Sequence, residues 1–374
     1  MLHPGEKLVL VLQGGGALGA YQAGAYEAMA EAGLQPDWVA GISIGAVNGA
    51  IIAGNRPENR VERLREFWES ISDGVESSPL GNTNFRIALN EVNAARVAAF
   101  GVPGFFSPRI PPAIFQPPGT HGALSFYTTD PLRRTLETLV DFEELNSGRI
   151  RYSAGAVEIT SGNFEYFDTA ERELCIDHVM ASGALPPGFP PITIGGKCYW
   201  DGGLVSNTPM QYVLEMTGQR SDMCVFQVDL FSARGRLPKA LPDVAQREKE
   251  IRYSSRTRLN TDFFMELQTI RRATRRLIEK LPPELREDPD AKALEGCGCN
   301  AAITIVHLIH RRAAYERYSM DYEFSRLSML EHWKAGLIDV RHTLNQKAWC
   351  ERQKPERGVT VLDLTRDQES ELAL

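Results

Sequence analysis

Residues 38–54 read WVAGISIGAVNGAIIAG, and this stretch decides the fold. The apolar residues before the first glycine predict a buried strand, and the small residues after the motif predict a tightly packed helix. Between them, Ser43 is flanked by Gly41 and Gly45 in a G-x-S-x-G pattern. A serine at such a strand–turn–helix junction projects its hydroxyl from the carboxyl edge of a sheet, where the hydroxyl could act as a nucleophile. The pattern alone leaves open a glycine-rich turn with an incidental serine.

A second glycine motif follows the first apolar run of the chain. Residues 7–13 (KLVLVLQ) predict a strand and residues 18–32 predict a helix, and the motif glycines between and within them are Gly14, Gly15, Gly16 and Gly19. Backbone N–H groups at a helix N-terminus form an anion site. They could hold a dinucleotide phosphate or stabilise an oxyanion. The dinucleotide interpretation requires an acidic residue at the end of the second strand, where Ser43 stands instead, so the oxyanion interpretation fits better.

A third motif, Asp201-Gly202-Gly203, follows the apolar stretch 192–200. A carboxylate followed by glycines at a strand end is often only a turn former. Alone, therefore, this motif indicates little about function.

Together, in order and in kind, the three motifs resemble those of the patatin-like acyl hydrolases. The flanking segments 180–186 (MASGALP) and 207–209 (NTP) resemble that family too. The resemblance covers residues 8–230 and implies an α/β fold of three layers, with a mostly parallel central sheet flanked by helices. It also implies roles for individual residues: Ser43 as nucleophile, Asp201 as its dyad partner, and Gly14, Gly15 and Gly16 as the oxyanion hole.

A Ser-Asp dyad raises a question of proton affinity. A free aspartate, with a pKa of about 3.9, is a poor base toward a serine hydroxyl. Burial of the carboxylate would raise that pKa and improve the match. The rival is a Ser-His-Asp triad, with the histidine after the acid. We expect packing or surface roles for the histidines that follow Asp201, because none lies in a glycine-flanked strand end: His307, His310, His332 and His342.

Composition is that of a soluble globular protein, with 374 residues, 43% hydrophobic and 24% charged. Neither a secretory leader nor a nucleic-acid module is recognisable, and the six cysteines are scattered, so we expect reduced thiols in the cytoplasm. The chemistry predicted here needs no metal or organic cofactor. A zinc site from Cys297, Cys299, His307 and His310 is disfavoured by the cysteine spacing. Residues 303–310 also predict a strand, which places the two histidines on opposite faces.

Charge divides the chain near residue 230. Residues 1–230 carry a net charge of −11 and residues 231–374 a net charge of +4. We expect a hydrolase domain over 1–230 and a C-terminal extension over 231–374, mainly helical with one or two strands. Segments of this extension resemble the C-terminal extension that a subset of bacterial patatin-like proteins carries. The role of that C-terminal extension is unassigned.

Within the extension, residues 243–281 predict one helix with an apolar side formed by Phe263, Leu267, Ile270, Leu277 and Leu281. We expect that side to pack on the hydrolase domain or on a second subunit. A basic group faces largely away from it: Arg271, Arg272, Arg275 and Arg276. These arginines could meet anionic lipid or an acidic partner, or could simply form a solvated face.

The segment 101–131 differs from its surroundings, because it combines seven prolines with several aromatic residues. Such a segment cannot form regular helix. It could form a lid or one wall of an acyl pocket, or an irregular coil over the core.

The predicted activity is hydrolysis of lipid carboxylic esters, namely phospholipid, lysophospholipid or acylglycerol, through an acyl-enzyme. An intracellular polyester oligomer or a thioester is the alternative substrate, because the dyad does not distinguish these carbonyls. A catalytically idle lipid-binding or regulatory module is the alternative of a different class. The expected partners are the acyl-ester substrate, a membrane surface contacted peripherally from the cytoplasm, and a second copy of the chain; nucleic acid is not expected.

Overall fold

The computed structural model describes residues 2–72, 83–216, 221–254, 257–313, 315–355 and 358–364. Within them the strands are β1 (Lys7–Leu12), β2 (Trp38–Ile42), β3 (Ser107–Pro108), β4 (Tyr127–Thr128), β5 (Arg151–Glu158), β6 (Phe164–Asp168), β7 (Ile192–Ile194), β8 (Lys197–Asp201), β9 (Met223–Asp229), β10 (Ile303–Ile309) and β11 (Val359–Asp363). The helices are α1 (Ala20–Glu31), α2 (Ile44–Ala53), α3 (Arg60–Ile71), α4 (Thr83–Phe100), α5 (Asp130–Leu139), α6 (Phe142–Asn146), α7 (Ile176–Ser182), α8 (Met210–Met216), α9 (Leu241–Tyr253), α10 (Thr257–Lys280), α11 (Pro283–Arg286), α12 (Pro289–Cys297), α13 (Arg326–Asn345) and α14 (Lys347–Cys350).

The described strands form one large mixed sheet and a small two-stranded one. The large sheet has the order β11-β10-β9-β1-β2-β5-β8-β7, with β6 paired to β5. The six strands from β11 to β5 run parallel, and β6, β7 and β8 pair antiparallel. The short strands β3 and β4 pair separately. The predicted α/β fold with a mostly parallel sheet is confirmed.

Both faces of this sheet are covered, as its continuous apolar strands require. Alternate residues of β1 enter two different cores. Leu8, Leu10 and Leu12 join the core beneath α1, α2 and α13. Val9 and Val11 join the smaller core on the other face, with residues of α8 and Phe264 of α10. The arrangement is the predicted three layers of helix, sheet and helix.

The parallel arrangement brings three chain segments to one edge of the sheet. Leu12 pairs with Gly41 of β2 and with Val228 of β9, so the carboxyl ends of these strands are level. Strand β8 reaches the same place from the opposite direction, because its last residue, Asp201, pairs with Ala156. The glycine loop, Ser43 and Asp201 therefore meet at this edge.

The extension continues the sheet across residue 230. Strand β10 pairs along its whole length with β9, and β11 pairs with β10. Helix α13 packs on α1 at backbone distance: a Cβ added to Gly24 would lie 1.8 Å from the carbonyl oxygen of Trp333. A Cβ added to Gly336 would lie 2.0 Å from that of Tyr21. Residues beyond 230 thus pack on residues 1–230, but through helix α13 and the strands and not through the apolar side of residues 243–281 that was expected to make this contact.

The predicted helix over 243–281 is wrong in two respects. The structure has two helices there, α9 and α10, and the supposed buried side of α10 is exposed. Phe263, Ile270 and Leu277 have 66%, 61% and 58% of their surface exposed. Among residues 262–280 of α10, whose burial the structure describes, the buried ones are Phe264, Gln268 and Ile278, one position further along. The shift follows from what lies beneath the helix, since Gln268 donates to the carbonyl of Ala301 and Phe264 packs in the smaller core.

The predicted arginine face on α10 is also more mixed than expected. Arg272 is half-buried and donates to the carbonyl of Pro355, and Arg275 pairs with Glu279 at 2.9 Å. In the part of the chain that the structure describes, no helix is both long and apolar enough to cross a membrane.

Candidate active site

The turn between β2 and α2 holds Ser43 in a strained conformation. Its φ of 55° and ψ of −123° make it the single non-glycine residue with positive φ in the described part of the chain. Strain of this kind persists only where the surroundings enforce it, and it concentrates at functional sites.

The flanking glycines make the turn sterically feasible. A Cβ at Gly41 would lie 2.3 Å from the carbonyl oxygen of Gly45, and a Cβ at Gly45 would lie 2.3 Å from that of Leu12. A side chain at either position would therefore open the turn.

Ser182, at the end of α7, holds the turn from below. Its hydroxyl accepts the backbone N–H of Ser43 at 3.0 Å and donates to the carbonyl of Gly155 at 2.7 Å. The sequence offered no sign of this role, because the partners are far apart in the chain. Ser182 does lie in the MASGALP segment that carries part of the family resemblance.

The carboxylate of Asp201 lies at the end of β8, with 1% of the residue exposed. It accepts a hydrogen bond from the Ser43 hydroxyl, and one from the N–H of Gly203 at 2.7 Å. Burial raises the pKa of Asp201 to about 7, against the two hydrogen bonds, which lower it. A carboxylate with this proton affinity is a far better base toward serine than a solvated aspartate, as the sequence argument required.

Two N–H groups of the glycine loop make no hydrogen bond to the described residues of the protein. The N–H of Gly14 donates to the carbonyl of Asn207 at 3.1 Å, so Gly14 is not a free donor. Within the described residues, the N–H groups of Gly15 and Gly16 donate to no protein acceptor. Of the three residues predicted to form an oxyanion hole, Gly15 and Gly16 are therefore the two whose N–H groups are available to a substrate oxygen.

Asn207 ties the loop to the rest of the site. Its side-chain amide donates to the carbonyl of Gly14 and to that of Tyr253, both at 2.9 Å. It lies in the NTP segment, whose resemblance was noticed but whose function was not predicted. Asn207 thus couples the glycine loop, the segment after Asp201 and the extension.

The remaining motif glycines permit close packing around these groups. A Cβ at Gly19 would lie 2.6 Å from Cγ1 of Ile44, and one at Gly202 would lie 2.6 Å from the carbonyl oxygen of Gly155. A Cβ at Gly203 would lie 3.1 Å from Oδ1 of Asp201. A larger residue at any of the three would move a group next to Ser43 or Asp201.

Ser43 and Asp201 open into a cavity of 410 Å³. Its walls are mostly apolar, with side chains that include Val97, Phe105, Phe106, Leu132, Leu185 and Phe189. Phe105 and Phe106, with Tyr127, come from the segment 101–131, which therefore forms one wall of the cavity. Of the two alternatives for this segment, the wall of a cavity therefore applies to Phe105, Phe106 and Tyr127, and the irregular coil over the core does not.

The extension forms another part of the wall, which the sequence did not predict. Tyr253, Asp321, Tyr322 and Phe324 line the cavity. The carbonyl oxygen of Asp321 would lie 2.1 Å from a Cβ on Gly16, whose φ is 54°. Glycine at position 16 thus lets the extension pack closely against the glycine loop.

No histidine is among the residues that line the cavity in the described part of the chain. His307 is buried in β10, and burial lowers its pKa. His342 is partly buried on α13, with Nε2 2.9 Å from the amide nitrogen of Gln346. His310 and His332 are buried together beside Glu316. These positions agree with packing roles.

The suggested zinc ligands do not come together. Cys297 is exposed, and buried Cys299 lies beside Gln268. His310 instead lies with Glu316 and His332, where Nε2 of His332 is 2.5 Å from Oε1 of Glu316. That separation is a hydrogen bond, shorter than two ligands of one metal ion would allow. The group is better explained as an anchor between the β10–α13 loop and α13.

Comparison with known proteins gives two family matches. The family model described as patatin-like phospholipase matches residues 10–214, and a second, described as patatin phospholipase, matches residues 251–356. The first contains all the motifs at the sheet edge, and the second covers most of the extension.

Individual relatives match over short parts of their length. Patatin-like phospholipase domain-containing protein 6 of Mus musculus is 41% identical over 73 residues, which is 19% of this chain and 5% of that protein. Lysophospholipase NTE1 of Debaryomyces hansenii is 23% identical over 241 residues, which is 62% of this chain and 12% of that protein. The chain thus spans between 5% and 12% of the length of these relatives. The crystal structure of VipD from Legionella pneumophila aligns with 98% of this chain and 72% of its own, at 15% identity and a TM-score of 0.35, too low a likeness to support an argument.

Proposed function

The chain belongs to the patatin-like phospholipase family, and on that premise we propose that it is a serine hydrolase of lipid carboxylic esters. One observation carries the proposal: the carboxylate of Asp201, almost fully buried, accepts a hydrogen bond from Ser43 and has a pKa of about 7. A base of that strength beside a strained serine, at the end of an apolar cavity, suits attack on the ester of a long-chain acyl group.

In the first half of the reaction, Oγ of Ser43 attacks the ester carbonyl as its proton passes to Asp201. The carbonyl oxygen becomes an oxyanion, which the N–H groups of Gly15 and Gly16 stabilise. Collapse of the tetrahedral intermediate breaks the bond to the alkoxy group, which takes the proton from Asp201 and leaves as an alcohol. The acyl group stays on Ser43 as an ester.

In the second half, water takes the place of the alcohol. Asp201 accepts a proton from the water as it attacks the acyl-enzyme, and the same two N–H groups hold the second oxyanion. Collapse returns the proton to Oγ of Ser43 and releases a fatty acid. Each proton that Asp201 accepts is returned within the same half-reaction, so no cofactor enters this scheme.

The cavity supports an acyl chain as the group that is bound. Its aromatic and aliphatic walls exclude water from the chain, and Ser43, Asp201 and the glycine loop are among the groups that line it. Phospholipid, lysophospholipid and acylglycerol all present such a chain next to an ester. We propose lysophospholipid as the first substrate to test, because the relative from Debaryomyces hansenii is named a lysophospholipase.

Release of fatty acid from lysophosphatidylcholine by the purified chain tests the proposal. We expect Ser43→Ala to abolish release and to abolish labelling by a fluorophosphonate probe, with an unchanged circular dichroism spectrum. Ser161→Ala, on an exposed turn, is the matched control and should behave as wild type. Failure of the wild type to label would favour the idle lipid-binding module, and labelling without hydrolysis would favour a different ester or a thioester.

A further inference from the structure

The segment 101–131 has a buried base and an exposed apolar tip. Phe105 and Phe106 at its base are 8% and 6% exposed and line the cavity. At the tip, large apolar side chains are exposed to solvent. The exposed fractions are 94% for Ile110, 84% for Ile114, 75% for Phe115, 59% for Phe126 and 48% for Leu124. A folded protein rarely leaves so many large apolar groups uncovered within one short segment unless something binds them.

The tip is held in shape by its own hydrogen bonds. Nε of Arg109 donates to Oγ of Ser125 at 2.9 Å, and the N–H of Arg109 donates to the carbonyl of Phe126 at 3.1 Å. The side-chain amide of Gln116 donates to the carbonyl of Pro111 at 2.9 Å. The apolar side chains are therefore presented on an ordered scaffold before any partner arrives.

The same segment is joined to the rim of the cavity. Ala98 and Pro187 line the cavity and are exposed, so they mark where it meets solvent. The hydroxyl of Tyr127 donates to the carbonyl of Ala98 at 2.6 Å, and the N–H of Phe126 donates to that of Pro187 at 3.0 Å. A surface that covers the tip would therefore also lie across the cavity entrance.

Charge near the tip suits an anionic or zwitterionic surface. Residues 92–129 contain neither aspartate nor glutamate, although the whole chain is acidic. The same residues contain Arg96 and Arg109. A phosphate-bearing surface would meet Arg109 there; Asp130 and Asp177 line the same small pocket as Arg109, where Asp177 is paired with Arg133.

We propose that the docking tip, residues 110–126, inserts its apolar side chains into the surface of a phospholipid layer and so seats the cavity rim on that layer. The inference rests on the proposed function, because it gives the lipid ester a path into the cavity that avoids water. A fluid lipid layer accepts apolar side chains with exposures up to 94% at any spacing, whereas a protein partner would need a surface shaped to all of them.

The test uses cosedimentation with vesicles of equal parts phosphatidylcholine and phosphatidylglycerol, in a Ser43→Ala background that leaves the lipid intact. The tip variant is Ile114→Ser with Phe115→Ser. The matched control is Ile270→Ser with Leu277→Ser on α10, where exposed apolar residues of similar size lie at the opposite end of the strands. That location follows from the N–H of Cys299, just before β10, which donates to the carbonyl of Arg271.

We expect the tip variant to lose at least about tenfold in vesicle partitioning and the control to bind like the Ser43→Ala parent. Equal binding by the two variants would overturn the proposal. So would a tip variant that still binds vesicles but elutes as a smaller species than the parent in gel filtration, since the tip would then contact a second copy.

Activity separates this proposal from the proposed function. With Ser43 restored, the tip variant should hydrolyse the soluble ester p-nitrophenyl butyrate as wild type does, and should lose activity on vesicle lipid by the same factor as binding. Tip-dependent binding without hydrolysis of any ester would support docking and refute the hydrolase proposal. Undiminished hydrolysis of vesicle lipid by the tip variant would refute docking alone.

Discussion

Asp201 and Glu316 are both buried carboxyl groups, 1% and 4% exposed, but their surroundings affect the charge in opposite ways. Burial raises the pKa of Asp201 to about 7, because it outweighs the hydrogen bonds from Ser43 and Gly203, which lower the pKa. Burial would raise the pKa of Glu316 as well, but the charges and hydrogen bonds of His310 and His332 outweigh it and lower the pKa well below its usual range.

The difference separates a group poised to exchange a proton from one that holds its charge permanently. Glu316 also accepts from the backbone of Ala313, and its interaction raises the pKa of His332 although burial lowers it. The pair anchors the chain, and Glu316, with its pKa held well below the usual range, does not take up a proton near neutrality. Asp201 keeps its charge at a cost, and that cost gives it the proton affinity that its proposed role as a base requires.

The largest effect that distinguishes the two carboxyls should be on turnover. Asp201→Asn should lower kcat for p-nitrophenyl butyrate by about 10²–10⁴-fold, because the amide does not accept the serine proton. Glu316→Gln, an equally small change at an equally buried site, should keep kcat within about threefold of wild type. Comparable losses in both variants would remove the distinction between base and anchor.

The next effect concerns the oxyanion loop, where the extension contacts the site. Gly16→Ala would place a Cβ 2.1 Å from the carbonyl oxygen of Asp321 at a residue with φ of 54°. We expect kcat to fall about 10–100-fold with less change in KM, because the N–H donors act on the developing oxyanion.

Gly162→Ala controls for backbone strain alone, since Gly162 also has positive φ, 70°, but has open space around it. It should leave kcat unchanged. A rise in KM without loss of kcat in Gly16→Ala would argue that the loop binds substrate and does not stabilise the transition state.

The free energy of unfolding should change in opposite directions in the two carboxyl variants, Asp201→Asn and Glu316→Gln. The folded-state pKa of Asp201 lies above its unfolded value, so the stabilisation linked to it is complete below about pH 4 and is lost as the pH rises through about 7. Asp201→Asn should therefore be more stable than wild type by about 1–3 kcal/mol near pH 8, with no gain near pH 4.

The folded-state pKa of Glu316 is lowered, so its contribution is present above the unfolded value near pH 4 and is lost as the pH falls further. Glu316→Gln should be less stable than wild type by about 3 kcal/mol near neutral pH. Urea unfolding of wild type and of each variant, near pH 4, near neutral pH and near pH 8, measures these differences in the free energy of unfolding. Destabilisation of Asp201→Asn near pH 8 would show that its charge is not held at a cost.

The smallest expected effect is on the histidine variants. His307→Ala and His342→Ala should each keep kcat within about twofold of wild type, because neither side chain lines the cavity. A variant that is folded by circular dichroism but inactive would replace the dyad with a triad.

The sequence was sufficient for the parts of the site that depend on local geometry. The glycine loop and the G-x-S-x-G turn each follow an apolar strand of the parallel part of the sheet, so their strand ends lie at one edge. Asp201 reaches the same edge on the antiparallel strand β8, which the motif order alone did not predict. The strands predicted at residues 7–13, at residues 38–40 and at residues 303–310 are confirmed.

What the sequence did not show depends on contacts between distant segments. Ser182 and Asn207 act through hydrogen bonds to backbone groups of other elements, and such acceptors leave no pattern in the sequence. The exposed side of α10 was assigned wrongly because Phe264 and Phe263 are equally apolar, and only the neighbouring core decides which one is buried.

The pH dependence of kcat/KM for p-nitrophenyl butyrate, over about pH 5 to 9, tests the central claim most directly. If Asp201 is the base, its ionised form is required, so kcat/KM should be constant above about pH 7 and fall about tenfold per unit below it. Glu316→Gln should show the same midpoint, since Glu316 does not titrate in this range. A profile that stays level down to about pH 5, or one whose midpoint moves in Glu316→Gln, would contradict the assignment of Asp201 as the buried, unpaired base.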